Sequence, residues 1–307
     1  MTAAGHPAPA ATRFARFEGA SLVGLRGKDA LSFLQTKLTQ DVRTWRQTGG
    51  GAAGAVDIQG RLLFEAECWL AGPNEALLLV FGVEAEAVIA HLDRYVISED
   101  VTFEDLSTTH AVVLLLGGAT DPVRTFERHD DGRIEVSGDL GAGASGFIAV
   151  PRGAIDAIRG RLVTGGAVEL PLQAWLDARV AGGLPTLGRE YGAAEIIPLE
   201  AGRWSTVSFR KGCYLGQEVI ERLYSRGSPA RRLLHLEGLR SATAVGNVIR
   251  SAGDDAGVVR SVATVDGVHH ALGFVKRAFL RPDATFELDG EPVPSWSYVG
   301  GERPEQV

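Results

Sequence analysis

The chain has 307 residues, among them 39 glycines and only two cysteines, with 45% hydrophobic and 22% charged residues and a formal net charge of −7. This composition excludes disordered, collagenous and disulfide-stapled chains, and no apolar run is long enough to span a bilayer. The length predicts two or three domains, and the lone pair of thiols, Cys68 and Cys213, points to a reducing cytoplasm and cannot supply the four ligands of an all-cysteine iron–sulfur cluster.

Residues 1–16 lack acids and contain Gly5, Pro7 and Pro9 without an apolar segment, so they read as a disordered tail rather than a targeting peptide. From Phe14 to Leu25 the pattern is strand, turn, strand. Gly27-Lys28-Asp29-Ala30 then opens a helix with Leu31, Leu34 and Leu38 on one apolar face, and Asp41 beyond it reads as a cap or ion-pair partner. Gly49 to Gly54 matches GxGxxG literally, but no strand precedes it. A dinucleotide fingerprint requires one, so the run reads as a loop entering a hairpin of Ala55–Ile58 and Arg61–Leu70. In the second strand Phe64, Ala66, Cys68 and Leu70 share a face, which makes Cys68 a small buried hydrophobe. Glu75–Val83 is a buried strand, Glu84–Val96 a helix, and Val101–Asp105 and Ala111–Leu116 are further strands.

A second unit starts near Gly117. Asp121–Arg128 reads as a short helix, Arg133–Ser137 and Gly146–Val150 as strands, and Pro151–Val163 and Pro171–Arg179 as helices. Beyond Ser228-Pro229 the grammar changes to short β runs separated by glycines, as in a small barrel or sandwich; His269 and His270 are adjacent there and show no zinc-ligand spacing. The expected organisation is therefore α+β with largely antiparallel sheets: an N-terminal domain over 17–116, a second over 117–227 and a β domain over 228–307.

Basic, thiol, amide and carboxylate groups crowd together from Val207 to Arg222. Val207 and Phe209 alternate like a strand end, Gly212 permits a turn at positive φ, and Gln217–Arg222 has the residue types of a helix start. Lys211, Cys213 and Gln217 would then sit at a mouth lined by amide N–H groups, which favours anions. Between Arg203 and Arg232 seven basic residues face two acidic ones, a surplus of +5 in an acidic chain. That contrast suits an acidic ligand, or a solvated surface paired with acids elsewhere. Glu218 and Arg222, at i and i+4, also suit a simple helix-surface ion pair worth about 0.3 to 0.5 kcal/mol.

The run Lys211-Gly-Cys-Tyr-Leu-Gly-Gln-Glu218 resembles the signature of the YgfZ family, folate-binding proteins of iron–sulfur cluster maintenance related to the aminomethyltransferase (T-protein) of the glycine cleavage system. Two weaker segments occur in the right order: Gly27–Ala30 with Phe33-Leu34-Gln35 and Leu38–Val42, and Arg179 with Gly182–Pro185 ahead of Ile197–Glu200. The resemblance implies a three-lobed clover-leaf of antiparallel sheets packed by helices, a C-terminal β-barrel and a central site for tetrahydrofolate or a one-carbon derivative. It makes Arg179, Tyr214, Gln217, Glu218 and Arg222 the candidate folate contacts, and Lys211 and Cys213 the candidate chemical groups. A helix C-terminal cation is the competing role for Arg179. Iron–sulfur enzymes or their assembly factors, including tRNA-modifying enzymes, are the implied clients.

The departures from the T-protein matter for mechanism. Where its G-G-x-x-D-D segment carries the catalytic aspartate, this chain has Gly60-Arg-Leu-Leu-Phe-Glu65, with Phe64 in place of one acid and Glu65 facing away from it. Where its G-Y-T-G-E segment holds the pterin, Gly143–Phe147 has no carboxylate. Aminomethyl transfer, the alternative function, would thus lack a charged partner for its transition state. Cys213 is flanked by Arg210 and Lys211 and precedes a helix start, which favours a thiolate. Such a thiolate suits a transient bond to a folate-borne one-carbon unit, a redox relay, or a transient iron or sulfur contact; the competing reading is a packed thiol that shapes the pocket. Direct nucleic-acid binding is disfavoured by the net charge of −7 and by the lack of aromatics interleaved with the basic run.

Overall fold

The computed structural model describes residues 12–117, 123–240, 243–281 and 283–302. Three sheets organise these residues. The first has five antiparallel strands in the order Gly50–Val56, Leu62–Gly72, Glu75–Phe81, Ala20–Arg26, Thr102–Asp105. Its helix-covered face packs Leu25, Phe64, Ala66, Cys68 and Leu78 against Phe33 and Leu34 of helix Ala30–Lys37 and Val88 and Leu92 of helix Ala85–Asp93. Its other face, with Leu22, Trp69, Leu77 and Leu79, stacks on a second sheet through Val112, Leu114, Ile134 and Phe147. Alternation along each strand is what lets one sheet bury two different faces.

The glycine-rich run is not a loop. Gly50–Val56 pairs along its length with Leu62–Gly72, and the small residues are what make that pairing possible: a Cβ on Gly51 would lie 2.5 Å from the Trp45 indole nitrogen. Trp45, itself buried, packs against the bare backbone of Gly51.

The second sheet corrects the expected boundaries. Its order is Val168–Glu169, Arg13–Phe17, His110–Leu116, Ala144–Pro151, Ile134–Gly141, Thr125–Arg128. Strand Arg13–Phe17 pairs with His110–Leu116 and, in parallel, with Val168–Glu169. Residues 13–16 thus belong to a strand, not a tail, and the sheet crosses the boundary drawn at 116/117; the tail assigned to 1–11 lies outside the described residues. Thr125–Arg128, expected within a helix, is an edge strand because Phe126 meets Val136 across the ladder, while Asp121 and Pro122 lie outside the described residues. Helices Ile155–Thr164 and Leu172–Ala181 fall where expected, the latter with Pro171 at its N-cap.

The C-terminal sheet has seven strands in the order Glu291–Pro292, Glu287–Leu288, Val248–Ser251, Asp254–Val265, Val268–Lys276, Arg231–Leu239, Ser295–Tyr298. No hydrogen-bonded pairing joins its two ends among the described residues, so the expected barrel is present as an open sheet. One face encloses Leu234, Leu236, Ile249, Val259, Val275 and Phe286. The other presents Leu233, Leu272 and Phe274 to Val56, Leu62, Trp204 and Ile220 of the body. Helix Leu172–Ala181 crosses Asp254–Val265 and Val268–Lys276, which carries Arg179 to the place where the sheets meet. No described helix is long and apolar enough to cross a membrane.

Because the Trp45 contact leaves no room for a methyl group, Gly51→Ala is expected to lower unfolding free energy by about 1 to 3 kcal/mol, the usual range for overpacking. Urea denaturation should show this as a lower midpoint at unchanged slope; an unshifted midpoint would refute the packing argument.

Candidate functional site

The signature segment leaves a short 3-10 turn, Trp204–Thr206, runs without regular structure to Gly216, and enters helix Gln217–Arg226. Two expectations change. Val207 and Phe209 are not a strand; Val207 is buried in the core and Phe209 stacks on Tyr224 at 3.7 Å. The positive-φ glycine is Gly216 (φ 75°), at the helix N-cap, and not Gly212. A Cβ on Gly216 would stand 2.2 Å from the Asp57 carbonyl oxygen, so the glycine lets the signature loop rest on the turn between Gly50–Val56 and Leu62–Gly72.

Lys211 fixes the other end of the loop. Its buried ammonium donates to the carbonyls of Gln35 (2.6 Å), Leu38 (2.5 Å) and Gln40 (2.9 Å), at the C-terminal end of helix Ala30–Lys37. The two segments are further laced by Thr39 Oγ1 to the Thr206 carbonyl, Gln40 Nε2 to the Ser205 carbonyl and Ser208 N to the Thr39 carbonyl. Burial pulls the Lys211 pKa down to about 8, with Asp41 opposing. All three ammonium donors are engaged, so the chemical role expected for Lys211 gives way to an anchoring one. Asp41 caps the next turn and pairs with Arg43.

Cys213 is exposed on this loop, whereas Cys68 is buried and its thiol pushed far up by desolvation. The packed-thiol reading therefore fits Cys68 and not Cys213. Tyr214 is buried with its ring 5.1 Å from the Lys211 ammonium, and burial raises its pKa. Gln217 accepts from the Tyr214 amide at 3.3 Å. Glu218 and Arg222 form a surface pair at 2.6 Å with both side chains mostly in solvent, as the helix spacing predicts. Most of the basic run is engaged internally. Arg203 pairs with Glu65, Arg231 lies 3.6 Å from Glu200, and Arg232 donates to the Gly301 carbonyl beneath Trp204 and Tyr298. The segment as a whole does not form the expected anion-binding surface.

The charged site lies deeper. Glu65 and Glu67 alternate with Phe64, Ala66 and Cys68, and so face away from the helix-covered core into a tight pocket of about 10 Å³ shared with Phe81, Arg179, Leu187 and Arg203. Glu65 accepts from Arg203 Nε (2.5 Å) and from the Tyr191 hydroxyl (2.8 Å). For Arg203, burial disfavours the charge but Glu65 and Tyr191 more than compensate, so its pKa is raised. Arg179 donates to Thr186 Oγ1 (2.9 Å) and to the carbonyls of Leu140 (2.9 Å) and Pro185 (3.2 Å), with its guanidinium 4.9 Å from the Trp175 ring. It is thus a buried pocket residue rather than an exposed helix-end cation. The structure separates this group from Cys213, which lines neither this pocket nor the larger cleft on the other side of the strand. Sequence reasoning missed Arg203, Glu67 and Tyr191 as pocket residues; two acids two residues apart inside an apolar strand were the available signal. Among the described residues no three His, Cys, Asp or Glu side chains converge as a metal site.

Strand Leu62–Gly72 also separates this pocket from a cleft of about 400 Å³ floored by Phe64 and lined by His91, Tyr95 and Leu215. Burial, aided by Arg94 and Lys37, pushes His91 down to about 4.

Loss of the three-carbonyl anchor in Lys211→Met is expected to lower stability by about 2 to 3 kcal/mol, the range for hydrogen bonds to a charged group. Lys211→Arg should not restore it, because a planar fork cannot converge on three carbonyls; full rescue by arginine in a urea titration would sink the anchoring role. Since the folded His91 resists protonation, the stability it supports is complete above pH 6.5 and is lost as pH falls towards 4. The loss is expected to be on the order of 2 kcal/mol. His91→Gln should flatten that part of the stability–pH curve, and an unchanged curve would count against the assignment.

No protein-family model matches the chain. It is 26% identical over 307 residues to the tRNA-modifying protein YgfZ of Serratia proteamaculans, covering 89% of each chain. It is 25% identical over 251 residues to the mitochondrial iron–sulfur cluster assembly factor IBA57 homolog of Coccidioides immitis, covering 75% of this chain but spanning only 58% of that protein. Among solved structures, the glycine cleavage system aminomethyltransferase T from Bartonella henselae superimposes with a TM-score of 0.78 at 18% identity, over 94% of this chain and 86% of that one. The resemblance first carried by the residues from Lys211 to Glu218 thus extends over most of the chain, and the protein is a relative of YgfZ and IBA57 built on the aminomethyltransferase T fold.

Proposed function

We propose that this protein binds tetrahydrofolate, or a one-carbon derivative, and acts as an accessory factor in iron–sulfur cluster assembly or repair, supporting dependent enzymes such as those that modify tRNA. The observation that carries the reading is the pocket where the sheets meet, with Glu65, Glu67, Arg179 and Arg203 around Phe81 on an aminomethyltransferase T fold. A pterin needs an apolar wall and a carboxylate acceptor for its amino and ring N–H edge; Phe81 and the two glutamates are of that kind. As it stands the pocket has a cavity volume of only about 10 Å³, room for a water and not for a pterin, so binding requires it to open, and the pterin edge would compete with Arg203 and Tyr191 for Glu65. The side chains therefore fit folate in kind, with entry coupled to opening of the Glu65–Arg203 pair.

Aminomethyl transfer is the weaker reading. Glu65, the acid retained beside Phe64, has both oxygens engaged by a cation and a hydroxyl, which leaves no lone carboxylate to stabilise developing positive charge. A nucleic-acid module is weaker still, because most of the basic run is bound within the fold. Cys213, free and exposed, is the group available for chemistry with a client in a reducing compartment such as the cytoplasm.

Calorimetric titration with tetrahydrofolate should give saturable heat, weakened at least tenfold by Arg179→Met and by Glu65→Gln. Cys213→Ser should retain that heat yet fail to support cellular iron–sulfur enzyme activity. Absence of heat at millimolar folate would remove the folate reading, and full activity of the serine variant would remove the chemical role of the thiol.

A further inference from the structure

The cleft on the helix side of strand Leu62–Gly72 has a chemistry of its own. Its floor is Phe64, and an edge-to-face ladder climbs one wall: Phe64 to His91 at 5.9 Å and 81°, then His91 to Tyr95 at 5.5 Å and 72°. Ile58, 68% exposed, and Leu215 of the signature loop line the cleft as well. Its interior is apolar and its walls are flat rings, with His91 held neutral.

Basic groups border the aromatic wall of the cleft. Arg94 lines the cleft with its guanidinium 5.8 Å from the Tyr95 ring, and the Lys37 ammonium is 5.0 Å from the same ring. Among the described residues neither cation forms a salt bridge; Arg94 donates a long hydrogen bond, 3.5 Å, to the Ala90 carbonyl of its own helix. The one acid in the lining, Asp57, is already engaged by Arg61 Nε at 2.9 Å and by the amides of Gln59 and Arg61. Arg94 in the lining and Lys37 beside the Tyr95 ring, the latter shared electrostatically with Glu99, place positive charge at the edge of a ring-walled interior and so complement a ligand with a planar apolar body and an anionic head.

We propose that this cleft is a second binding site, separate from the central pocket, for an aromatic carboxylate. The separation follows from strand geometry. Phe64 and Glu65 are neighbours in sequence, so their side chains leave opposite faces of the sheet, one into each space. Binding places the ring between the Phe64–His91–Tyr95 ladder and Ile58, with the carboxylate towards Arg94 and Lys37.

The test uses the full chain and two probes of equal ring size, 2-naphthoate and 2-naphthalenemethanol, titrated by calorimetry or by quenching of probe fluorescence. The acid should bind at least tenfold more tightly than the alcohol, and the difference should shrink below twofold in Lys37→Gln/Arg94→Gln. Ile58→Asp, at an exposed position that folding does not depend on, should weaken the acid tenfold or more. The same charge variant should leave any tetrahydrofolate heat of the parent chain unchanged, so this proposal and the folate reading can fail independently. Equal affinity for acid and alcohol, undiminished binding in Ile58→Asp, or joint loss of naphthoate and folate heat in the charge variant would each overturn a separate anion-selective cleft.

Discussion

The Lys211 ammonium is the fastening on which the site depends. Three backbone carbonyls at the end of one helix would otherwise be left without donors, and the loop carrying Cys213 would otherwise lack a fixed start. The lysine meets both needs at once. Its carbonyl partners come from residues 35–40 and its loop ends on the turn at Asp57, so one side chain and one glycine position the signature segment against the end of a covering helix and against a turn of the first sheet.

The central pocket is held by a different balance. Burying Glu65 alone would be costly, and Arg203 together with the Tyr191 hydroxyl offsets that cost with short charge-assisted hydrogen bonds. Arg124 does the same for Glu67, at 2.5 Å, while stacking 4.8 Å from Trp69. Such groups set a geometry more than they add stability, since hydrophobic replacements of buried ion pairs are often neutral or stabilising. Their arrangement around Phe81 defines the polar character of any guest.

Side-chain periodicity made legible helix Leu172–Ala181, the alternation from Phe64 to Cys68 and the Glu218–Arg222 pair, though the Val207–Phe209 alternation is not a strand. Secondary structure was not legible where bare backbone did the packing. Gly50–Val56 has too few side chains to show a strand's alternation, and its identity as a strand rests on Trp45, outside the run itself. Arg13–Phe17 looked like part of the neighbouring unit because sequence proximity says nothing about which sheet a strand joins. The charge surplus from Arg203 to Arg232 misled for the same reason: its partners, Glu65, Glu200 and the carbonyls of Gln35 to Gln40 and of Gly301, are remote in sequence. The resemblance singled out Arg179, which lines the central pocket, and the signature singled out Cys213, which lines neither that pocket nor the cleft, whereas Tyr191 and Arg203 became visible around Glu65 only once the chain had folded.

The placement of Arg13–Phe17 between His110–Leu116 and Val168–Glu169 has a consequence for biogenesis. Residues 13–17 leave the ribosome well before residues 110–116 and 168–169 with which they pair, so the six-stranded layer cannot close until those later partners have emerged. Closing such wide loops is entropically costly and slows the search. The earliest native structure is then the five-stranded layer with its two helices, whose strands are all contributed by residues 20–105, and the second layer assembles on that platform.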